Sequence, residues 1–367
     1  MKIYPIPMIP GPVRVPQSVL DAMNVDFGSG DLERDFLELY KRTEANLQAI
    51  YATRNPIAIM TGEGMLGLWA GLKSVLVPGD RVLAVGTGVF GYGIGDMARA
   101  LGADVHTVGL RYDETLGDLA EIEREILAFQ PKMITAVHCE TPSGTLNPLD
   151  GLGRLKSHYE VPLLYVDAVA SAGGCPVLTD EWYIDLCLGA SQKALSAPPL
   201  AAFLTVSPRA WEIAAEVNYS GYDALLPFRE AQKNFYFPYT PNWHGLAALH
   251  AATQRILDEG LENVYQRHEQ VAAYCRERIV RMKQRLFPVP EAVPAPTVTA
   301  VYVPQGIRWE DFDRRLRAHG LAVGGSYGPL TGKIFRIGHM GSQADMELVR
   351  QALDVIETVM DEVHKAT

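Results

Sequence analysis

Short apolar runs alternate with amphipathic segments between about residues 57 and 207. Because strands that alternate with helical segments form parallel sheets covered by helices, this pattern predicts an α/β fold with a mainly parallel, seven-stranded sheet. The predicted strands are 57–61, 81–86, 104–108, 132–138, 161–167, 185–188 and 201–206, and the predicted helices are 65–75, 91–101, 120–128 and 149–158.

The remainder of the chain has a different pattern. An aromatic and proline-rich loop at 235–241 precedes one long helical stretch from about 243 to 282. The pattern then predicts a strand at 297–303, a helix at 308–319, strands near 322 and 333, and a helix at 343–363, which together form a smaller α/β domain. The predicted organisation is an N-terminal segment at the active site (1–20), a large domain (21–255) and a small C-terminal domain (256–367).

Composition excludes several classes of function. The chain has 367 residues and a formal net charge of −10, whereas binding to a phosphate backbone requires clustered Lys and Arg, so no nucleic-acid partner is expected. It lacks an apolar signal core and any run near the ~18 apolar residues of a membrane span, which predicts a cytoplasmic protein without a membrane partner. The four cysteines are scattered without a CxxC pair, which predicts reduced thiols and no metal site.

Polar and glycine-rich loops follow four of the predicted strands. In open parallel sheets, ligands bind beyond the carboxyl ends of the strands. Asp167 closes one strand, and the loops at 61–64, 86–90 and 140–144 follow three others. These loops are therefore expected to converge on one edge of the sheet.

Asp167 and Lys193 form the most informative pair. Asp167 ends the apolar run 161–166, and Lys193 lies twenty-six residues later among small, uncharged residues. A lysine amine condenses with the aldehyde of pyridoxal 5'-phosphate (PLP), and an aspartate keeps the ring nitrogen of that cofactor protonated. Partial desolvation would also lower the pKa of the lysine. The alternative is an ordinary surface lysine.

The surroundings of this pair resemble those of a known family. Asp167 at a strand end, the run Ser191-Gln192-Lys193 and the prolines Pro198-Pro199 resemble class V (fold-type I) PLP-dependent aminotransferases of the alanine–glyoxylate and serine–pyruvate type. The similarity extends over almost the whole chain. It implies a fold-type I transferase, an amino acid and a 2-oxo acid as substrates, and a ping-pong reaction through a Schiff base on Lys193.

The resemblance also implies roles for individual residues. Lys193 and Asp167 would be catalytic, Gly11 and Arg336 would bind the substrate, and Phe237 and Thr240 would reach the site of a second subunit in a homodimer. The implied cofactor-binding residues, besides Lys193 and Asp167, are Gly62, Glu63, Gly64, Met65, Phe90, Thr141, Ser143, Val169, Ser191, Gln192, Phe237 and Thr240.

Two of these roles also follow from side-chain chemistry. An aromatic face such as that of Phe90 covers a flat cationic ring through apolar and π-electrostatic contact, although a core phenylalanine would have the same pattern. The planar guanidinium of Arg336 pairs with a carboxylate through two hydrogen bonds, and a surface ion pair is the alternative. The apolar residues around Arg336 favour the substrate role.

Glu63 departs from the pattern of most relatives. An ionised carboxylate beside a phosphate dianion is disfavoured by like-charge repulsion. Pyridoxamine–pyruvate aminotransferase, which takes unphosphorylated vitamin B6 as a substrate, resembles this chain at Gly62-Glu63 and around Arg336. However, Tyr327 stands near where that enzyme carries a second arginine, and Gln192, a phosphate donor in ordinary transaminases, is retained. Pyridoxamine use is therefore the second hypothesis.

Two further classes of enzyme deserve comparison. The segments 62–67 and 86–91 both match the dinucleotide fingerprint G-x-G-x-x-G, which would indicate an NAD-dependent dehydrogenase. Such an enzyme would place Glu63 against a pyrophosphate and would not explain Lys193 with Asp167. A cysteine desulfurase needs a nucleophilic cysteine on a mobile loop, whereas Cys275 falls in an amphipathic helical pattern. Both are weaker hypotheses than a transaminase.

Overall fold

The computed structural model describes residues 4–366. The strands are β1 (Ile6–Met8), β2 (Ile57–Thr61), β3 (Arg81–Gly86), β4 (Asp104–Gly109), β5 (Met133–Val137), β6 (Cys139–Glu140), β7 (Thr145–Leu146), β8 (Leu163–Asp167), β9 (Leu186–Ala190), β10 (Ala201–Val206), β11 (Thr299–Tyr302), β12 (Leu321–Gly325) and β13 (Ile334–Ile337). The helices are α1 (Gln17–Met23), α2 (Arg34–Ile50), α3 (Gly64–Val75), α4 (Val89–Ala100), α5 (Ala120–Phe129), α6 (Asp150–His158), α7 (Pro208–Val217), α8 (Ala231–Asn234), α9 (Trp243–Glu259), α10 (Leu261–Arg281), α11 (Trp309–Ala318) and α12 (Met346–Ala366).

The larger sheet has seven strands, as the sequence predicts, and their order is β2-β10-β9-β8-β5-β3-β4. Strand β10 pairs antiparallel with both of its neighbours, and every other pair is parallel. Strands β5, β9 and β10 are buried along their whole length, which explains their continuous apolar sequences. The carboxyl ends of the six remaining strands therefore share one edge with the start of β10.

The helical stretch predicted at 243–282 is helical in the structure, but it consists of two helices. It is divided into α9 and α10 by Gly260, which has a φ of +84°. Only glycine adopts such a backbone conformation readily, so the chain changes direction here. The sequence interpretation also missed α2, whose buried face includes Phe36, Tyr40 and Leu47 and packs against α9.

The smaller sheet has four strands in the order β1-β12-β13-β11. Strand β1, from the N-terminus, pairs in parallel with β12, so the chain begins in this sheet before it enters the larger one. A separate apolar core lies between this sheet and helices α10, α11 and α12. This pairing brings residues 9–14 past the edge of the larger sheet.

No helix within residues 4–366 is both long enough and apolar enough to cross a bilayer.

Candidate active site

A cavity of about 310 Å³ lies beyond the carboxyl edge of the larger sheet. It is formed where the loops after β2, β3, β8 and β9 meet the N-terminal segment. The sequence-predicted residues that line it are Gly11, Glu63, Gly64, Met65, Phe90, Thr141, Asp167, Val169, Gln192 and Lys193.

Lys193 lies in the loop after β9 and faces this cavity. Its Nζ donates a hydrogen bond to the Pro10 carbonyl at 2.7 Å. Burial, together with the positive charge of Arg336, lowers the pKa of the amine to about 8, although Asp167 partly opposes this shift. A substantial fraction of the amine is therefore neutral near pH 8 and able to act as a nucleophile or a base.

Ser191 stabilises the lysine loop instead of lining the cavity. Its hydroxyl donates to the Pro198 carbonyl at 2.5 Å and accepts hydrogen bonds from the Leu200 and Ala201 amides at 3.2 Å each. A hydroxyl has a single proton to donate, so this proton is already used. In this arrangement Ser191 fixes the path of the chain around Lys193.

Asp167 ends β8 and faces the same cavity as the lysine. Its Oδ1 accepts a hydrogen bond from the Val169 amide at 2.9 Å, and its Oδ2 has no hydrogen-bond partner within residues 4–366. Burial raises the pKa of this carboxyl to about 6, while the Val169 amide and the Lys193 amine oppose the shift. A carboxylate held in this way pairs strongly with a cation that enters the cavity.

Glu140 is a residue of the site that the sequence interpretation placed in a loop without assigning it a role. It is fully buried, and its two oxygens accept hydrogen bonds from the Phe90 amide at 3.2 Å and the Gly91 amide at 2.6 Å. Burial raises its pKa to about 7, and the two amides oppose this shift. Glu140 therefore fixes the first turn of α4, which carries Phe90 to the cavity wall.

The glycines of the 86–91 segment have a packing explanation. A Cβ on Gly88 would lie 2.5 Å from the Glu140 carboxyl carbon, and a Cβ on Gly91 would lie 2.8 Å from the Val85 carbonyl oxygen. These positions are therefore glycine because Glu140 and the strand approach α4 closely. The match to a dinucleotide fingerprint follows from this packing and needs no pyrophosphate.

Glu63 and Gln192 differ in whether their side-chain oxygens have hydrogen-bond partners. Glu63 caps α3, and its Oε1 accepts a hydrogen bond from the Met65 amide at 2.9 Å. Gln192 is buried, and its Oε1 is enclosed without a hydrogen-bond partner among the described residues. An enclosed acceptor without a partner costs free energy, whereas the amide nitrogen of Gln192, a residue of the cavity wall, can donate to a polar ligand.

Arg336 lies on β13 and is 3% exposed. Its Nε donates to the Gly325 carbonyl at 2.7 Å, Nη2 donates to the same oxygen, and the Tyr327 ring lies 4.7 Å from the guanidinium carbon. Burial lowers its pKa. No carboxylate among residues 4–366 forms an ion pair with it. A buried cation without a counter-ion favours binding of an anion such as a substrate carboxylate.

Several predicted site residues lie outside the lining of the cavity. The hydroxyls of Ser143 and Thr145 share a hydrogen bond of 2.9 Å at the turn from β6 to β7. Phe237 is buried in an aromatic cluster, with its ring centre 5.3 Å from those of Phe36 and Tyr40. Thr240 is exposed in the same loop. The predicted residues that do not line the cavity are Gly62, Ser143, Ser191, Phe237, Thr240 and Arg336.

Two further residues lie at the cavity: Pro10, which belongs to the predicted N-terminal segment, and Cys139, which was not predicted. Pro10 contacts the lysine amine, and Cys139 contributes to the wall. Burial raises the pKa of the Cys139 thiol to about 12, so this group is a protonated wall residue at neutral pH. No cluster of three or more metal-binding side chains occurs in the part of the chain that the structure describes.

Comparisons with known proteins agree with this geometry. The family model described as aminotransferase class-V matches residues 11–348. Alanine–glyoxylate aminotransferase of Callithrix jacchus is 34% identical over 94% of this chain and 85% of its own length. The ureidoglycine–glyoxylate aminotransferase structure from Bacillus subtilis has a TM-score of 0.94 and 33% identity and covers 99% of this chain and 94% of its own. The pyridoxamine–pyruvate aminotransferase structure from Mesorhizobium loti has a TM-score of 0.94 and 28% identity, and covers 99% of this chain and 93% of its own.

Proposed function

Because this chain belongs to the class-V aminotransferase family, we propose that it is a PLP-dependent transaminase that moves an amino group from a small amino acid to a 2-oxo acid. Donors of the alanine or serine type and acceptors such as glyoxylate or pyruvate are proposed because several relatives carry alanine–glyoxylate aminotransferase names. The observation that carries the proposal is the shared cavity of Lys193 and Asp167. A ping-pong reaction follows if one cofactor serves both substrates in turn.

The residues of the cavity fit the pyridine end of PLP. Lys193 offers a low-pKa amine, Asp167 offers a carboxylate oxygen without a partner, and Phe90 and Val169 supply apolar walls. The amide nitrogen of Gln192, a residue of the cavity wall, can donate a hydrogen bond to the phosphate at the other end. PLP would supply an electrophilic carbon for the amino group and a pyridinium ring that withdraws electrons.

The chain's own residues would perform the proton transfers. The Asp167 carboxylate would hold a proton on the ring nitrogen through charge pairing. The neutral Nζ of Lys193 would take the proton from the α-carbon of the amino acid and deliver it to the former aldehyde carbon of the cofactor, on the other side of the amino nitrogen. Arg336 does not line the cavity itself, but its charge is close enough to act on the Lys193 amine, and it would bind the α-carboxylate and so place the α-hydrogen toward this amine. Glu140 would keep Phe90 in position throughout.

We also propose a homodimer with sites near its interface. Met65 and Leu66, in the first turn of α3, are 41% and 42% exposed despite lying next to the cavity. The loop that carries Thr240 lies near the same edge, because the Tyr239 hydroxyl accepts a hydrogen bond from the Thr61 amide at 2.9 Å. Large apolar side chains on an exposed rim suit coverage by a second copy.

Replacement of Arg336 tests the proposed substrate class. Arg336→Gln should lower kcat/KM for alanine by about 10- to 100-fold, because charge-assisted hydrogen bonds to the carboxylate are lost. Steady-state rates for alanine with glyoxylate, and for serine with glyoxylate and with pyruvate, measure this loss. Arg336→Lys, which retains the positive charge but not the planar pair of donors, serves as the matched control. Equal kcat/KM for wild type and Arg336→Gln with every donor would rule out the assigned role.

Unphosphorylated pyridoxamine is a second candidate substrate, and it is favoured by one observation. The carboxylate of Glu63 already accepts the hydrogen bond of the Met65 amide at the start of α3, where backbone amides would otherwise bind a phosphate. A hydroxymethyl group in the place of the phosphate would avoid the like-charge repulsion. This candidate ranks second because Gln192, whose amide nitrogen can donate a hydrogen bond to a phosphate, lies in the cavity wall.

Replacement of Glu63 separates the two candidates. Glu63→Gln keeps the length of the side chain and removes its charge, so the affinity for PLP should rise by about 10-fold if repulsion is present. Glu63→Ser should likewise raise the affinity for PLP. Equilibrium titration of the cofactor-free protein with PLP and with pyridoxal measures both affinities. An unchanged preference between these two ligands would show that the Glu63 charge does not select against phosphate.

A further inference from the structure

Residues 9–14 pass directly over the side chain of Lys193. The Pro10 carbonyl accepts the hydrogen bond from Lys193 Nζ, and a Cβ on Gly11, which has a φ of +92°, would lie 2.4 Å from Lys193 Cδ. This close approach leaves little freedom for the lysine side chain. The position of this segment therefore determines where the free amine rests.

Gln343, just before α12, holds both ends of this segment. Its Nε2 donates to the Ile9 carbonyl at 2.9 Å and to the Gly338 carbonyl at 2.6 Å, and its Oε1 accepts from the Arg14 amide at 2.8 Å. The side chain is 1% exposed, so these bonds are shielded from water. Only the nitrogen end can donate to two carbonyls, which fixes the orientation of the amide.

The Ile9 carbonyl links Gln343 to the lysine contact. It also accepts a hydrogen bond from the Gly11 amide at 2.8 Å, which closes the tight turn around Pro10. The same oxygen therefore receives one bond from the turn and one from Gln343. Loss of the Gln343 bond would free the turn and shift the Pro10 carbonyl.

We propose that Gln343 is a positioning residue that holds residues 9–14 so that the Pro10 carbonyl receives and orients the free amine of Lys193. The amine is free whenever the amino group of a substrate has replaced it on the cofactor, so this part of the inference rests on the proposed function. The carbonyl then keeps Nζ in one place between taking a proton and returning it.

The charged and titratable groups around Lys193 are on other elements. Arg336 lies on β13, Asp167 on β8, Cys139 on β6 and Glu63 at the start of α3, and each affects the Lys193 amine electrostatically. The side chain of Gln343 hydrogen-bonds to none of them within residues 4–366. A change in the titration of Lys193 after replacement of Gln343 therefore reports on the Pro10 contact.

The first test uses the cofactor-free protein. Carbamylation of Lys193 by cyanate is followed as a function of pH by peptide mass spectrometry in wild type, Gln343→Met and Gln343→Glu. Met keeps the length without polar atoms, and Glu keeps only the acceptor for the Arg14 amide. We expect the titration midpoint of Lys193 to fall by about 0.5 pH unit or more in Gln343→Met, because the ammonium loses its carbonyl acceptor, whereas the added carboxylate of Gln343→Glu stabilises the ammonium and offsets this fall.

Ser342→Ala is the matched control, since the Ser342 hydroxyl bonds the Arg14 carbonyl but not the turn at Pro10. It should leave the midpoint of Lys193 as in wild type. An unchanged or raised midpoint in folded Gln343→Met, or an equal shift in Ser342→Ala, would overturn the inference. Thermal unfolding identifies the variants that are folded.

The second test uses the loaded enzyme with ordinary and α-deuterated alanine. In Gln343→Glu, kcat should fall by about 10-fold and the α-deuterium isotope effect should rise, while KM for alanine changes by less than about 2-fold because Arg336 is untouched. A loss of kcat without a larger isotope effect would overturn the inference. If wild type does not transaminate at all, the proposed function fails, whereas the titration of Lys193 still decides the role of Gln343.

Discussion

Lys193→Ala is expected to lower the rate of transamination by about 10⁴-fold or more, because one amine supplies both the covalent attachment and the proton transfer. The remaining wall of the cavity, including Asp167, Phe90 and Gln192, does not depend on the lysine side chain. The variant should therefore still bind PLP, and equilibrium dialysis or fluorescence can measure this binding. Loss of turnover with retained binding separates a chemical role from a structural one.

Lys193→Arg provides the matched control for charge. Arginine keeps a cation near the Pro10 carbonyl and Asp167, but its pKa is too high for it to act as a base at neutral pH. We expect this variant to be as inactive as Lys193→Ala, with an unfolding temperature close to that of wild type. Activity within about 10-fold of wild type in either variant would show that another group performs the proton transfer.

Asp167→Asn has the second largest expected effect. The substitution keeps the shape and the bond from the Val169 amide, but it removes the charge that would hold a proton on the ring nitrogen. Loss of one partner of a buried charge pair costs ~3 kcal/mol or more, which corresponds to a fall in kcat of about 10²- to 10³-fold. Rapid mixing with alanine and with α-deuterated alanine shows whether removal of the α-proton has become slower.

Although Asp167→Asn should lower kcat, it should raise the thermal stability of the cofactor-free protein. Because burial raises the pKa of Asp167 from 3.8 to about 6, its contribution to the stability of the cofactor-free protein is full below 3.8 and is lost as the pH rises through about 6. Asparagine does not ionise, so Asp167→Asn avoids the cost of a buried negative charge. The cofactor-free variant should therefore unfold at a higher temperature than wild type above pH 6. A lower unfolding temperature at that pH, together with normal turnover, would contradict the role assigned to Asp167.

The sequence predicts the larger sheet well because its strands are nearly all buried. Continuous apolar runs such as 133–137 and 201–206 can be recognised without knowledge of their partners. The break at Gly260 was harder to predict, because a lone glycine inside a helical pattern is often tolerated. Helix α2 was missed because its many charged residues obscure the apolar face that packs on α9.

The candidate site could be predicted only in part. Residues whose chemistry is local, such as Lys193 and Asp167 at strand ends, follow from sequence because the sheet places them at one edge. Glu140 and Gln343 act through bonds to backbone groups far away in the chain, at Phe90 and at Ile9. No pattern in the sequence specifies such pairings. The hydroxyl of Ser191 bonds to backbone groups of residues 198–201 because the chain turns there, and composition does not reveal that turn.

The attachment of PLP to Lys193 is the central claim, and reduction followed by peptide mapping tests it most directly. Protein incubated with PLP is treated with borohydride, digested and analysed by mass spectrometry, with Lys193→Arg as the control. The account predicts one pyridoxyl-phosphate adduct per chain, on the peptide that contains Lys193, and none in the control. An adduct confined to other lysines, or equal labelling in Lys193→Arg, would contradict it.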